Sequence, residues 1–592
     1  MNRRTLLVCL LGSILPCSGL AQNTAKDFDK SGETKIHEGD YDGAIAEFSK
    51  AIELDPKSGY SYSERGYAKI YKRDYDGAIA DYSKAIELKP EEAFQFYVLR
   101  GMAKVSKDDC DGAIADYSKA IELKPEYASA YDSRGDARNQ KGDYDGAIAD
   151  YSKAIELKPE YPAAYDGRGD ARNHKGDYDA AIADCTKAIE LDPRNAAAYN
   201  YRGIAMGQKG DYDGAIADYS KVIELDPKYA VAYDNRGNAK NHKGDRDGAI
   251  ADYSQAINLY PKNAFFYDHR GYVKVLKGDF YGGITDYSQA IELNPKSAFF
   301  YEFRGMAKAE KDDYDGAIAD YSRAIELDPK FGSAYDNRGY AKIDKGDEDG
   351  AIADSSKAIE LNPKDTYAYR TRAVAKGHKG DYDGDITDCT KAIDLNPKFG
   401  PAYNSRGWAQ TEKGNYEAAL ADFNKAIELN SKFGFAYDDR ALIRELKGDF
   451  KGSLDDLLQS EALALPQAHN YSHLHVWVIR ARQGNPAEAN KELSTYLDKH
   501  RNGSPAGWSS RIGEFLLGKT SEADFLAAAA SPEPKKDRDQ HCQGWYYAAI
   551  KQLLAGNKKL AADYFTKCLA TEALPLEEYV RATIELKALG VH

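Results

Sequence analysis

Cysteine is scarce in this chain, and long apolar runs are almost missing. There are 7 Cys in 592 residues. Past residue 20 no stretch approaches the roughly 20 apolar residues that a bilayer span needs, and mean hydropathy is −0.66. Together these exclude a polytopic membrane protein and leave no integral span in the mature chain. Positive charge is also short. Lys and Arg number 81 against 95 Asp and Glu, for a formal net charge of −14. With no basic stripe, nucleic acid is not the expected main partner. Motifs for chemistry are missing as well. There is no Gly-rich phosphate cradle and no Ser or Cys nucleophile motif. Asp143-Tyr144-Asp145-Gly146 lacks the further acidic ligands of a calcium loop. His37, His174, His242 and His378 stand too far apart to share a metal. His469, His473 and His475 lack the interposed Glu of a zinc protease helix. The sequence reads as a non-enzyme without metal or cofactor.

What is abundant is a single phrase. The block Gly142–Pro159 (GDYDGAIADYSKAIELKP) returns from Gly39 into the 420s, and from Pro125 to Pro397 a proline recurs every 34 residues. A fixed period of this size marks a stacked repeat array. In the reference unit 128–161, Tyr131, Arg134, Gly135 and Arg138 recur at helical spacing and predict a first helix that Gly142 ends. Asp143 is a helix N-cap residue. Ala147, Ile148, Tyr151, Ala154 and Ile155 then form an apolar stripe of period 3.6, which Pro159 terminates. A hairpin with two apolar faces must stack on its neighbours.

The spacing of these Gly, Ala, Tyr and Pro positions resembles the tetratricopeptide repeat (TPR) family. Twelve units run from Ala25 to Phe433 (25–433), and a weaker thirteenth covers 434–467. The resemblance implies an all-α, right-handed superhelical solenoid, a groove lined by the first helices, and a scaffold that binds proteins or peptides. Two features depart from the family. An Arg stands where the family favours Leu, followed 16 residues later by an Asp, as in Arg134 with Asp150 and Arg168 with Asp184. These predict a structural ladder of Arg–Asp pairs, within or between repeats. The first repeat has Ser31 and Glu47 in those slots. Gly146 and its copies replace the family's Glu, and nothing in the sequence explains them.

Residues 1–21 read as a secretory signal peptide: Arg3 and Arg4, the apolar run Leu6–Leu15, then small residues before Gln22. The expectation is an exported protein, periplasmic or otherwise extracytoplasmic. Cys17 follows Pro16, a poor context for lipidation, so a lipid anchor is not expected. Cys110, Cys185 and Cys389 occupy repeat-core tyrosine slots. Cys542 and Cys568 fall at the open end of one helical hairpin, where a disulfide could form.

In the TPR family the slots of Asp132, Asp136, Asn139 and Gln140 face the groove. Repeats four, five and seven place Asp132, Asp136, Asp166, Asp170, Asn173, Asp234, Asn238 and Asn241 in such slots. Other repeats place Tyr67, Met102, Val105, Tyr272, Met306 and Tyr340 there. This predicts an acidic, amide-rich middle between more apolar stretches, suited to a basic or amide-rich extended segment.

Past residue 467 the repeat text stops, but helical hairpins continue over 468–592: Tyr471–Gly484 with Pro486–Leu497, Trp508–Leu517 with Ser521–Ala530, and Trp545–Leu554 with Lys558–Leu569. Ser531–Gln540 reads as a polar connector and Leu576–Leu589 as a capping helix. Trp508 to Gly518 (WSSRIGEFLLG), Trp545-Tyr546-Tyr547, Gly556, Phe565, Glu578-Tyr579, Ala582 and Glu585-Leu586 resemble the C-terminal part of NlpI-type bacterial envelope TPR proteins. That resemblance implies an adaptor in a cell-envelope complex. Two other readings stand beside it. One is a structural spacer or self-associating array. The other is an enzyme with its site in 468–592, where His473, Glu514 and Cys542 would be the candidates.

Overall fold

The structure, a computed structural model, describes residues 20–91, 93–463, 471–499, 507–573 and 576–591. The leader's Arg3, Arg4, Leu6–Leu15 and Cys17, the end of the thirteenth unit at Gln467, and His469 lie outside the described residues. Within them there are 33 α-helices and no strand, in consecutive paired hairpins that make an all-α solenoid. The reference repeat forms helices Ala128–Lys141 and Tyr144–Leu157, each of 14 residues. Gly142 closes the first in the left-handed region, with φ 86°, a conformation that glycine adopts without steric penalty.

The glycine at 146 now has a physical account. Asp143 caps the second helix by accepting the Gly146 amide at 3.0 Å. A Cβ on Gly146 would sit 2.2 Å from Asp143 Oδ2, so glycine lets the carboxylate fold over its own helix start. Repeat five has Ala180 in this slot, and its cap bond from Ala180 to Asp177 stretches to 3.4 Å.

Gly135 serves close packing. A Cβ there would meet the Tyr151 ring at 2.8 Å, and Tyr151 is buried in the hairpin core. Gly135→Ala is therefore expected to destabilise the array by about 1–3 kcal/mol through overpacking, read as a lower urea midpoint in circular dichroism.

The chain divides into two compact units, one ending at Asp279 and one beginning at Phe280. The division falls inside the eighth repeat, between its helices Ala264–Leu276 and Phe280–Leu293. Within each unit, first helices pack on the second helices before and after them, and most also pack on the first helix of the next repeat. This lines the first helices along one face.

In the second unit the array continues through Gly434–Leu446 and Phe450–Leu463 into a helical tail with its own core, which includes Trp477, Phe515, Tyr546, Tyr547 and Phe565. The expected connector Ser531–Gln540 is corrected here. Pro534 at a helix start fixes a helical φ, and helix Pro534–Leu554 runs through the segment for 21 residues.

Candidate functional site

The first-helix face of the repeats is held by two polar ladders, and what they leave exposed defines the candidate site. The first ladder is the Arg–Asp series. Arg134 donates through Nε and Nη2 to Asp150 at 2.9 and 2.7 Å, and through Nη1 to Ser118 Oγ at 2.9 Å. Arg168 repeats this with Asp184 at 2.8 and 2.7 Å and Ser152 at 2.9 Å. The Arg–Asp pair is thus within a repeat, and the serine belongs to the repeat before. That hydroxyl both accepts and donates, since Ser152 also donates to the Ile148 carbonyl at 2.7 Å. A second cation four residues after the Arg often joins, as Arg138 does on Asp150 at 2.7 Å. In the first repeat Lys35 and Lys50 hold Glu47 at 3.3 and 3.1 Å. Sequence reasoning missed the serine, although a Ser or Thr follows most ladder Asp residues by two positions, commonly in an Asp-Tyr-Ser triplet.

The second ladder corrects the expected groove. Asp132, Asp166 and Asp234 are buried, because the slot two residues before the ladder Arg packs against the next repeat. The Tyr161 hydroxyl donates to Asp132 at 2.8 Å, Asn195 donates to Asp166 at 2.5 Å, and His269 bonds Asp234 at 2.8 Å. Asn235 reaches Asn200 at 3.2 Å and Asn337 reaches Glu302 at 3.0 Å in the same way.

The slot two residues after the Arg behaves differently. Asp136 is exposed and Asp170 partly so, while Tyr272, Met306 and Tyr340 are each 43–48% exposed. Asn173, Asn238 and Asn241 are half-buried. Asn173 donates to the Tyr201 carbonyl at 2.8 Å, and Asn238 accepts from the Tyr253 hydroxyl at 3.0 Å.

Three carboxylates of the fourth and fifth repeats, Asp132, Asp136 and Asp170, act on one tyrosine, Tyr151. The Tyr151 hydroxyl donates to Asp136 at 2.8 Å, and Asn139 donates to Asp170 at 2.8 Å. Burial raises the Tyr151 hydroxyl well above its ordinary value, with Asp136, Asp132 and Asp170 adding. Burial, with Asp136 adding, raises Asp132 well above the usual carboxylate range. Burial raises Asp166 to about 7.

These shifts set a pH dependence. A carboxyl whose folded pKa exceeds its unfolded value gives up stability as pH rises between the two. In the first unit burial raises Glu64 to about 8, Asp166 to about 7, and Asp29 and Asp268 to about 6. The full chain is expected to melt lower at pH 8 than at pH 5.5. Asp166→Asn should raise stability at pH 8 by about 1–3 kcal/mol and flatten that dependence. An unchanged pH slope in the variant would show that Asp166 is ionised without penalty.

In the second unit the start of helix Pro534–Leu554 lies on the array. Lys535 donates to the carbonyls of Ile343 and Asp344 at 3.4 and 3.3 Å, at the end of helix Gly332–Lys345, where a cation suits the helix dipole. Burial, with Lys535 and Arg538 adding, lowers His378 to about 4. Further along, a cleft of about 730 Å³ has a floor including Leu458, Val476, Trp477 and Leu493 and a rim with Glu488, Lys491, Glu492 and Lys499. His473 stacks on Tyr496 there with ring centroids 3.8 Å apart. Cys542 faces Cys568, with sulfurs 2.9 Å apart and both residues buried. His473 and Cys542 are thus each packed on a neighbour of their own. Elsewhere, His174 and His242 stack on Tyr144 and Tyr212 at 4.8 and 5.0 Å. Among the described residues no helix is long and apolar enough to cross a membrane.

Comparison with known families agrees with this geometry. The description "TPR repeat" matches residues 135–173, 169–210, 208–244 and 305–346. "Tetratricopeptide repeat" matches 37–93, 63–128, 230–263, 332–365 and 400–433. Together they span more than half of the chain. The chain belongs to the tetratricopeptide repeat family. Its TPR fold is similar to that of yeast Tom70, at 20% identity over 74% of this chain and 99% of that one, with a TM-score of 0.37. YrrB, a TPR protein described as having an unusual peptide-binding site, is similar at 26% identity over 31% of this chain and 95% of its own, with a TM-score of 0.28. MamA is similar at 29% identity over 28% and 92%, with a TM-score of 0.27. Comparison with curated proteins gives no match.

Proposed function

We propose that this TPR protein is an exported, non-catalytic scaffold that holds extended segments of partner polypeptides along the first-helix faces of its repeats and gathers them in the cell envelope. One observation carries the binding role. The slot two residues after the ladder Arg is a place on the first helix where exposed side chains of different chemistry succeed one another along the array. It holds Asp136, Asp170 and Tyr272 in the first unit, and Met306 and Tyr340 in the second. A scaffold that reads partners needs such a slot, with the flanking positions rigid. Export rests on the leader-like residues 1–21, and the envelope role on the resemblance of the tail to NlpI-type proteins. An oxidising compartment would suit the facing pair Cys542 and Cys568. Thiol titration of denatured, exported chain is expected to count three free thiols, the five of the mature chain less this pair.

The test is affinity capture from envelope extract with residues 22–592 as bait, against the same bait carrying Asp136→Lys, Asp170→Lys and Tyr340→Ala. Captured proteins are identified by mass spectrometry and the leading one is titrated directly. The reading expects partners that the variant loses while its helical signal is intact. Identical capture by both baits would remove the first-helix face as the binding surface.

A further inference from the structure

In the second unit the tail meets the array at the C-terminal ends of first helices, where Lys535 bonds the carbonyls of Ile343 and Asp344 and Arg581 pairs with Glu445. The N-terminal ends of the first helices form the opposite edge, and two kinds of side chain recur there. In alternate repeats the second residue of the first helix is Phe299, Tyr367 or Phe435, which are 58, 63 and 73% exposed. A phenylalanine just before the next first helix supports the ring. Phe331 meets Phe299 edge-on with centroids 4.9 Å apart, and Phe399 meets Tyr367 at 4.8 Å. The fold does not require rings in this slot, since repeats of the first unit fill it with Ser129, Ala163 and Ala197. Exposed apolar side chains in a row mark an interaction surface.

Beside the rings stand Lys296, Lys364, Lys398 and Lys432, all exposed and without an ion pair among the described residues. Each follows an asparagine by two positions and donates its backbone amide to that side chain, at 3.4, 3.1, 3.0 and 3.0 Å. The same turn of the first unit is Lys89-Pro90-Glu91, an ion pair at 3.6 Å, and Glu126 and Glu160 take the lysine slot in the next two repeats. The carboxylates on the basic edge are largely spent. Glu326, Glu360 and Glu428 hold Arg323, Lys357 and Lys425 at 2.7, 2.7 and 2.6 Å, Asp394 follows Lys391 by the same three residues, Glu292 accepts from Gln289 at 3.0 Å, and Asp365 accepts the amides of Tyr367 and Ala368. Asp328 stands two residues before Lys330 and offsets it. Spaced by whole repeats, the unpaired lysines form no basic run in the sequence; stacking brings them to one edge, where the positive ends of the first-helix dipoles add to them.

We infer that this edge of the second unit rests on an anionic lipid surface, with the rings at headgroup depth and the lysines on the lipid phosphates. Aromatic rings favour the membrane–water interface, and lysines near an anionic leaflet each add attraction. An extended peptide is the poorer fit, because the loop amides it would bond are already held by the asparagine side chains. This lipid-facing edge is separate from the first-helix face and does not depend on the scaffold reading.

The experiment is co-sedimentation of the mature chain 22–592 with vesicles of phosphatidylcholine, alone or with about one third phosphatidylglycerol. Binding to the mixed vesicles is expected, with neutral vesicles weaker by roughly tenfold or more. Lys296→Gln, Lys364→Gln, Lys398→Gln and Lys432→Gln together should weaken binding to mixed vesicles by roughly tenfold or more, and Phe299→Ser, Tyr367→Ser and Phe435→Ser together should also weaken it. Lys345→Gln, Lys379→Gln, Lys413→Gln and Lys447→Gln remove as many exposed lysines from the opposite ends of the first helices and should leave binding unchanged; circular dichroism confirms folding of all three variants. Absence of binding to mixed vesicles, equal loss in the two lysine variants, or full binding by the ring variant overturns the proposal. Binding of labelled polyglutamate without binding of vesicles overturns it as well, and would assign the edge to an acidic polypeptide.

Discussion

Asp184→Ala is expected to lower the stability of the array by about 3–5 kcal/mol, the range for removing one partner of a buried ion pair. Asp184 is the acceptor for two cations: Arg168 at 2.7 Å and Arg172 at 2.6 Å, with side chains 16% and 23% exposed. Removing it strands both guanidinium groups at a helix interface and also frees the link from Arg168 to Ser152 in the preceding repeat. Stability in a repeat array is a sum of unit and nearest-neighbour terms, so one weakened interface in the middle divides the array. Urea titration followed by circular dichroism should change from one transition toward two. Asp218→Ala is the internal comparison. Asp218 holds Arg202 alone at 2.8 Å, since Met206 stands where Arg172 does, and its loss should be smaller by about 1–2 kcal/mol. Equal losses would show that the second cation contributes nothing. Arg168→Met, Arg172→Met and Asp184→Leu together should recover most of the stability, because apolar replacement of a whole buried network is often near neutral.

Arg581→Ala should have a comparable effect confined to the tail. Arg581 is 3% exposed and pairs with Glu445 of helix Gly434–Leu446 and with Glu577 of its own helix, at 3.3 Å for the latter. Next to it Arg482 bonds Glu585 at 2.5 Å, and His475 lies 3.8 and 3.7 Å from Glu577 and Glu578. Without Arg581, Glu445 and Glu577 keep their burial and lose their cation, a loss of about 3–5 kcal/mol. Three of the four tryptophans, Trp477, Trp508 and Trp545, lie in this region, so their fluorescence should report an early unfolding step while most helical signal remains. Arg581→Met with Glu445→Leu should restore much of the lost transition. A single coincident transition in Arg581→Ala would show that tail and repeats do not separate.

Much of this was legible in the sequence for a local reason. A repeat of 34 residues states its hairpin many times over, and Gly142, Asp143 and Pro159 mark helix ends by backbone chemistry that needs no tertiary context. The partnership of Arg134 with Asp150 was legible too, because a hairpin turning at Gly142 brings those two slots level. The serine of the first ladder was present in the repeated text but unread. It acts on the following repeat, and periodicity alone does not say which units touch at which atoms. The expected connector before Gln540 failed for another reason. Its prolines and charges read as polar loop, yet Pro534 at a helix start and the long apolar continuation to Leu554 favour one helix.

The candidate site shows where sequence stops. Asp132 and Asp136 are four residues apart on one helix, and the helical period places them on the same face. Both were assigned to the groove. The structure separates them, because the next repeat covers the N-terminal half of that face and Tyr161 closes over Asp132, while Asp136 is left exposed. The meeting of Arg581 with Glu445, which are 136 residues apart, was likewise beyond any local pattern. The sequence by itself determined the hairpins, their stacking and that the repeated Arg and Asp pair, since each follows from the period and from backbone chemistry local to the hairpin; that the pairs lie within a repeat came from the structure. Tertiary structure alone decided which polar side chains are spent on holding neighbouring repeats together and which remain for a partner, since burial is set by the angle at which one hairpin lies on the next.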